Sequence, residues 1–119
     1  MSNAAKSLLV FAIYLVGAGL GFLLVPNIPL ALLGVPTTTE VWIRLVGMLL
    51  IGLGYYYIRA AFAELTPLFS WSVHARLFSV VCMVAFVVFR LANPTLLLFA
   101  AIDFLATLWT ALALRSART

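Results

Sequence analysis

The stretch LLLFAAIDFLATLWTALAL, residues 96–114, carries a single charged side chain, Asp103, in an otherwise apolar run relieved only by Thr107 and Thr110. A helix rises 1.5 Å per residue, so a run of this length crosses the ~30 Å hydrocarbon layer of a bilayer. The rest of the chain asks for the same solvent. Of 119 residues, 66% are hydrophobic and 8% charged, with a mean hydropathy of +1.25. Soluble domains carry about 25% charged residues. Charges this sparse cannot clothe a water-soluble fold, so the chain reads as an all-α integral membrane protein with the lipid bilayer as its first partner. Backbone groups in lipid must pair within their own segment, which selects helices, and no segment alternates as a membrane barrel strand does.

Working outward from that stretch, three further apolar segments appear, and the sequence predicts an up-down-up-down bundle of four transmembrane helices forming one domain over residues 1–119. Their expected bounds are about 6–25, 40–63, 71–92 and 94–114, each roughly 20 residues. Pro26, Pro29 and Pro36 frame a linker, PNIPLALLGVPTTTE, too short to span, in which LALLG is expected at the interface and Thr39 as a cap of the second helix. ELTPLFSW separates helices two and three, and ANP makes a tight turn ahead of helix four, with Pro94 at its start. The first apolar run is about 18 residues, longer than a signal-peptide core, and no A-x-A-like site follows, so it is expected to be retained. The SNA after Met1 has the look of a vector remnant and carries no weight in this reading.

The net charge of +4 comes from scattered basic residues, not a cluster that would hold nucleic acid. It reads as topology instead. Lys6, Arg59, Arg76, Arg115 and Arg118 fall on the side of both termini, and Arg44 and Arg90 on the other. The positive-inside rule then places both termini in the cytoplasm of a bacterial inner membrane.

Helical spacing assigns faces at 100° per residue. Glu40, Arg44, Gly47, Ile51, Tyr55 and Arg59 form one stripe of helix two, and Ser72, Arg76, Ser79, Met83 and Arg90 one of helix three. Asp103, Thr107 and Thr110 form that of helix four. On helix one, Tyr14, Gly17 and Gly21 align, and GAGLG has the GxxxG spacing that lets membrane helices approach closely, so Gly17, Gly21 and Gly47 are expected packing positions. The four stripes are expected to meet at the bundle axis. Asp103 lies about 13 Å below Pro94. Its insertion costs roughly 2.5–3.5 kcal/mol, which the surrounding leucines and phenylalanines offset at about 0.3–0.6 kcal/mol each. It still needs a partner, and Arg44 and Arg90 enter from the same side, so the sequence predicts that Asp103 pairs with one or both. Tyr55, alone of Tyr55–Tyr57, is expected to turn inward, and Thr107 to stand beside Asp103.

Other chemistry is sparse. Cys82 is the single cysteine and His74 the single histidine, too few for a disulfide, a redox pair, a metal site or a haem. No paired carboxylates and no nucleophile with a base are evident, so no catalytic residue, cofactor or metal is expected and enzyme activity is disfavoured.

WIRLVGMLLIGLGYYYIRAA (42–61) and AAIDFLATLWTALAL (100–114) resemble small, uncharacterised four-helix bacterial inner-membrane proteins, broadly DoxX-like, in which an arginine and two glycines share a membrane helix, here Arg44, Gly47 and Gly52. That resemblance implies a multi-pass inner-membrane protein. The expected function is a non-catalytic accessory or binding subunit with a buried Arg/Asp cluster. The alternative is a small oligomeric transporter or channel for an anionic or polar solute. Four short helices leave little room for a cavity, so a homo-oligomer or a larger membrane complex is expected.

Overall fold

In the computed structural model of the chain, residues 1–118 are described, with side chains described through Ser116, so Arg118 stands outside the side-chain account. The helices are α1 (Asn3–Leu24), α2 (Asn27–Leu32), α3 (Trp42–Phe62), α4 (Thr66–Val88) and α5 (Leu96–Arg118), and no strand occurs among the described residues. All but the short α2 are long and apolar enough to cross a membrane.

Local chemistry explains most boundaries. Ser2 caps α1, its hydroxyl accepting the Ala5 N–H at 3.1 Å, so the opening residues are part of the fold. α2 ends on Gly34 at φ 73°, where the Val35 N–H reaches back to the Leu30 carbonyl at 2.9 Å. A Cβ on Gly34 would lie 2.8 Å from the Asn93 side chain, so glycine answers both the backbone angle and a close approach. Val41 is the cap of α3 and offers no side-chain bond, while Thr38, not Thr39, closes the preceding turn by accepting the Glu40 N–H at 3.1 Å.

α4 begins at Thr66 instead of Trp71, because Pro67 occupies its first turn, where a proline removes no helical hydrogen bond. It also ends early. Arg90 adopts φ 60° and the Leu91 N–H returns to the Phe86 carbonyl at 2.7 Å, a left-handed stop that leaves Arg90 outside the helix. α5 starts two residues after Pro94, led in by Asn93, whose side-chain oxygen accepts from the Thr95 N–H at 2.9 Å and the Thr95 hydroxyl at 2.8 Å.

α1 organises the packing. It lies between α3 and α5 and packs on both, α4 packs on α5 and touches α1 more lightly, and no comparable face joins α3 to α4 or α5. The Cα extents, 47 × 29 × 16 Å, describe an oblong layer and not a square ring of helices. The four polar stripes therefore do not converge on one axis.

The α1–α3 seam is set by glycines. A Cβ on Gly47 would fall 2.6 Å from the Gly19 carbonyl oxygen and 2.6 Å from the Leu23 nitrogen, and one on Gly19 2.8 Å from the Gly47 oxygen. Gly54 sits against Val16 and Ala12 in the same seam. Gly47 thus lies at the close approach of α1 and α3. A Cβ on Gly17 would meet nothing within 4 Å, and one on Gly21 only Pro29, at 3.6 Å. The close approach uses the glycine between them.

The apolar core gathers at one end of the layer, where Ala5, Leu8, Phe11 and Ala12 of α1 meet Tyr57 and Ala61 of α3, Phe69 of α4 and Leu114 of α5. Outside it, at the turn after α3, the Glu64 carboxylate accepts from both the N–H and the hydroxyl of Ser2 at 2.7 Å. Those two donors hold the Glu64 carboxyl below its ordinary value. A depressed carboxyl contributes stability above its unfolded value, near pH 4.3, and loses that contribution as pH falls through the folded value. Hydrogen exchange in the first turn of α1, corrected for intrinsic rates, is therefore expected to accelerate below about pH 4. Glu64→Gln should remove that pH dependence, and an unchanged profile would show that the contact does not hold the turn.

Candidate functional site

Two polar regions lie inside the layer, and neither is the cluster expected from sequence. The first centres on Arg76, which is 4% exposed although it stands near the middle of α4. Its Nη2 donates to the Thr110 hydroxyl at 2.8 Å and the Ser72 hydroxyl at 3.3 Å, and its Nε to the Ser72 carbonyl at 3.4 Å. The Thr110 oxygen lies 2.6 Å from the Ser7 oxygen, and Ser7 donates to the Ala4 carbonyl at 2.7 Å. Arg76 donates to Thr110, the Thr110 and Ser7 hydroxyls share one hydrogen bond, and Thr110 also faces the Ala106 carbonyl at 3.3 Å. The guanidinium also stacks 4.6 Å from the Phe11 ring centroid. A cation in the middle of an apolar helix is thereby held by α1 and α5 together.

The second region is a cleft of about 480 Å³. Tyr14, Gly17 and Gly21 of α1 form one wall, Pro29 and Leu32 of α2 another, and Leu96, Phe99 and Asp103 of α5 a third, with Met83 of α4 and Leu50 of α3 completing it. It exists because the glycine stripe of α1 presents no side chains here and because α2 folds back over the end of α1. Asp103 is the only charged residue of the lining, and Tyr14 the only other polar side chain. Asp103 Oδ1 is buried and has no hydrogen-bond partner. A buried polar atom without a bond forfeits its hydration, so the Asp103 carboxylate is incompletely satisfied where it lines the cleft.

Among the residues singled out from sequence, the structure brings Thr107 beside Asp103. Thr107 is buried and its hydroxyl donates to the Asp103 carbonyl at 2.6 Å, within its own helix. Arg44 and Arg90 do not pair with Asp103. Arg44 is exposed and donates to the Leu23 carbonyl at the end of α1, where a cation suits the helix terminus. Arg90 is exposed in the turn after α4. The cation whose field reaches Asp103 is Arg76. Tyr55 faces outward at 57% exposure, its ring edge-on to Tyr56, whereas Tyr57 is buried at 7% and packs on Phe11 with centroids 6.2 Å apart.

These differences share physical causes. Each i+4 step overshoots a full turn by about 40°, so the run Gly47, Ile51, Tyr55, Arg59 winds away from the face that Gly47 buries. Placing the start of α4 at Trp71 set Arg76 in an interfacial turn, but from Thr66 it lies about 15 Å into the helix. The Ser72–Arg76 pair and the Thr107–Thr110 pair, each on one helical face, were the signals that pointed to this interior.

Comparison with protein-family models, with curated proteins and with solved structures finds no match to this chain.

Proposed function

We propose that this chain is a small multi-pass protein of the bacterial inner membrane whose role is binding, not catalysis, and that the cleft over Asp103 is its binding site. In this reading α1, α3, α4 and α5 cross the bilayer in an up-down-up-down order with both termini cytoplasmic. Lys6, Arg59, Arg115 and Arg118 then lie inside, and Arg44 and Arg90 outside. Arg76 leaves the count, since it is interior. The resemblance to DoxX-like proteins agrees with this placement. Arg44 and Gly47 of that motif serve the α1–α3 contact, so the motif bears on assembly and not on ligand chemistry.

One observation carries the proposal: an apolar cleft of about 480 Å³ whose only charged lining group keeps a buried, unpartnered oxygen. Small-molecule sites occupy roughly 300–1,000 Å³ and combine apolar walls with a few orienting polar groups. A cleft of this size also supports a site within one subunit, so an oligomer is not needed to build one. The alternative of an anion or polar-solute pathway loses its main support, because Arg44 and Arg90 stand away from Asp103.

The test fills the cleft without touching the packing. Gly17 faces it, and a Cβ there meets nothing within 4 Å, so a larger side chain projects into the cleft. Chain extracted from its membrane into polymer nanodiscs and examined by native mass spectrometry is expected to retain an apolar molecule that Gly17→Leu, equally stable, does not. Wild type and Gly17→Leu carrying the same complement would sink the binding reading.

A further inference from the structure

The cleft has a polarity that narrows its ligand. We infer that it takes an amphipathic cation: an apolar body along Gly17, Gly21, Pro29, Leu32 and Phe99, with a protonated amine directed at Asp103 and Tyr14. This rests on the binding reading above.

The charges facing the cleft decide the head group. Asp103 is the only charged residue in the lining, so the site offers one negative group and no cation to a ligand that enters. The chain's other charges near this level are committed elsewhere. Arg44 bonds the Leu23 carbonyl, and Arg90 lies in the turn after α4. Arg76 acts on Asp103 through space but is not part of the lining; its Nη2 and Nε are engaged by Thr110 and Ser72, and its Nη1 is buried without a partner. The polar and charged groups tied to Asp103 are therefore Tyr14 on α1, Arg76 on α4 and Thr107 on its own helix, and of these Arg76 is the only ion. Arg76 balances one charge from behind the lining and gives Asp103 Oδ1 no hydrogen bond. An entering N–H donor meets the carboxylate where Asp103 lines the cleft, and a positive charge on it makes the bond a charge-assisted one, about twice as strong as a neutral one. The Tyr14 hydroxyl, beside Asp103 in the lining, can accept from the same amine. An anionic head would meet the carboxylate directly, with no cation of the lining to offset it.

Three probes with one tail isolate the head group: dodecylammonium, dodecanol and dodecyl phosphate. Each is titrated into the full chain in zwitterionic nanodiscs, with empty nanodiscs subtracted to remove partition into lipid. Saturable binding of dodecylammonium is expected at least about tenfold tighter than that of dodecanol, the worth of one charged hydrogen bond. Asp103→Asn should abolish that difference, and Gly17→Leu should abolish saturable binding of every probe. Equal binding of dodecylammonium to wild type and Asp103→Asn, or a preference for dodecyl phosphate, overturns the assignment of a cation and leaves the binding site standing. If no probe binds saturably, the binding reading falls with it. Gly17→Leu removes no contact of Asp103 and places its Cβ in open space, and unfolding in mixed micelles matched to wild type excludes misfolding as the cause of lost binding.

Discussion

Gly47→Ala should destabilise the chain by about 2–3 kcal/mol, while the same change at Gly17 should be neutral or stabilising by up to about 1 kcal/mol. The two glycines look alike in sequence, each on a small-residue stripe of an apolar helix. Their surroundings differ. A methyl group on Gly47 would meet backbone on two sides, the Gly19 oxygen and the Leu23 nitrogen, each at 2.6 Å. Backbone cannot rotate away as a side chain can, so α1 and α3 must separate along the seam, and Gly19, Gly54 and the Arg44 contact lose register with it. Overpacking of this kind costs about 1–3 kcal/mol, and the upper part of that range applies because the obstruction is main chain on both sides. At Gly17 a methyl enters the open cleft, so only the gain in helix propensity remains. Unfolding in mixed micelles with rising dodecyl sulfate reads both. Equal effects at the two positions would mean that the α1–α3 seam is not where this structure puts it.

The second large effect belongs to Thr110→Val, expected to cost about 2–3 kcal/mol, against less than about 1 kcal/mol for Thr107→Val. Both threonines are buried, both lie on α5, and valine matches their shape. Interhelical hydrogen bonds in membranes average only ~0.6 kcal/mol, which alone would make the two variants similar. What separates them is the group left behind. Thr107 donates within its own helix to a carbonyl already held by the helical ladder, so its loss orphans little. Thr110 is the node between Arg76 and Ser7. Valine there leaves a guanidinium N–H with only the Ser72 hydroxyl at 3.3 Å, and the Ser7 hydroxyl without its partner on α5. Orphaning buried groups of this type costs ~1–3 kcal/mol each. Combining Thr110→Val with Arg76→Met should recover part of the loss, because no guanidinium is then left short of a partner. Additive effects in the double variant would argue against a shared node.

The four long helices were legible because length and hydropathy are properties of whole segments, and an error of a few residues at each end leaves them intact. The site was less so, because it depends on those ends and on angles. Pro67 read as punctuation, although a proline in a first turn is a start signal, and moving α4 by five residues turned Arg76 from an interfacial residue into an interior one. Asp103 was recognised as the residue to explain, and Thr107 as its neighbour. Its expected partners were chosen by depth alone, which ignores that Arg44 has a nearer acceptor in the Leu23 carbonyl and that Arg90 lies in a left-handed turn outside its helix. The GxxxG spacing drew attention to Gly17 and Gly21, yet the seam runs through Gly19. Spacing reports which residues share a face and is silent on which face meets a neighbour. No periodicity predicts a cleft, since it is made by side chains that are missing and by α2 folding back over them.

The central place of α1 bears on how the protein is made. Helices leave the ribosome in chain order, and α1 precedes every element that docks on it. α3 therefore emerges to find its glycine seam already waiting. α4 does not, because its main neighbour, α5, is synthesised after it. In the interval Arg76 has Ser72 from its own helix and Phe11 from α1, but not Thr110. Until α5 follows, α4 therefore lacks its main packing partner, and docking of α5 is the step that completes the contacts of Arg76.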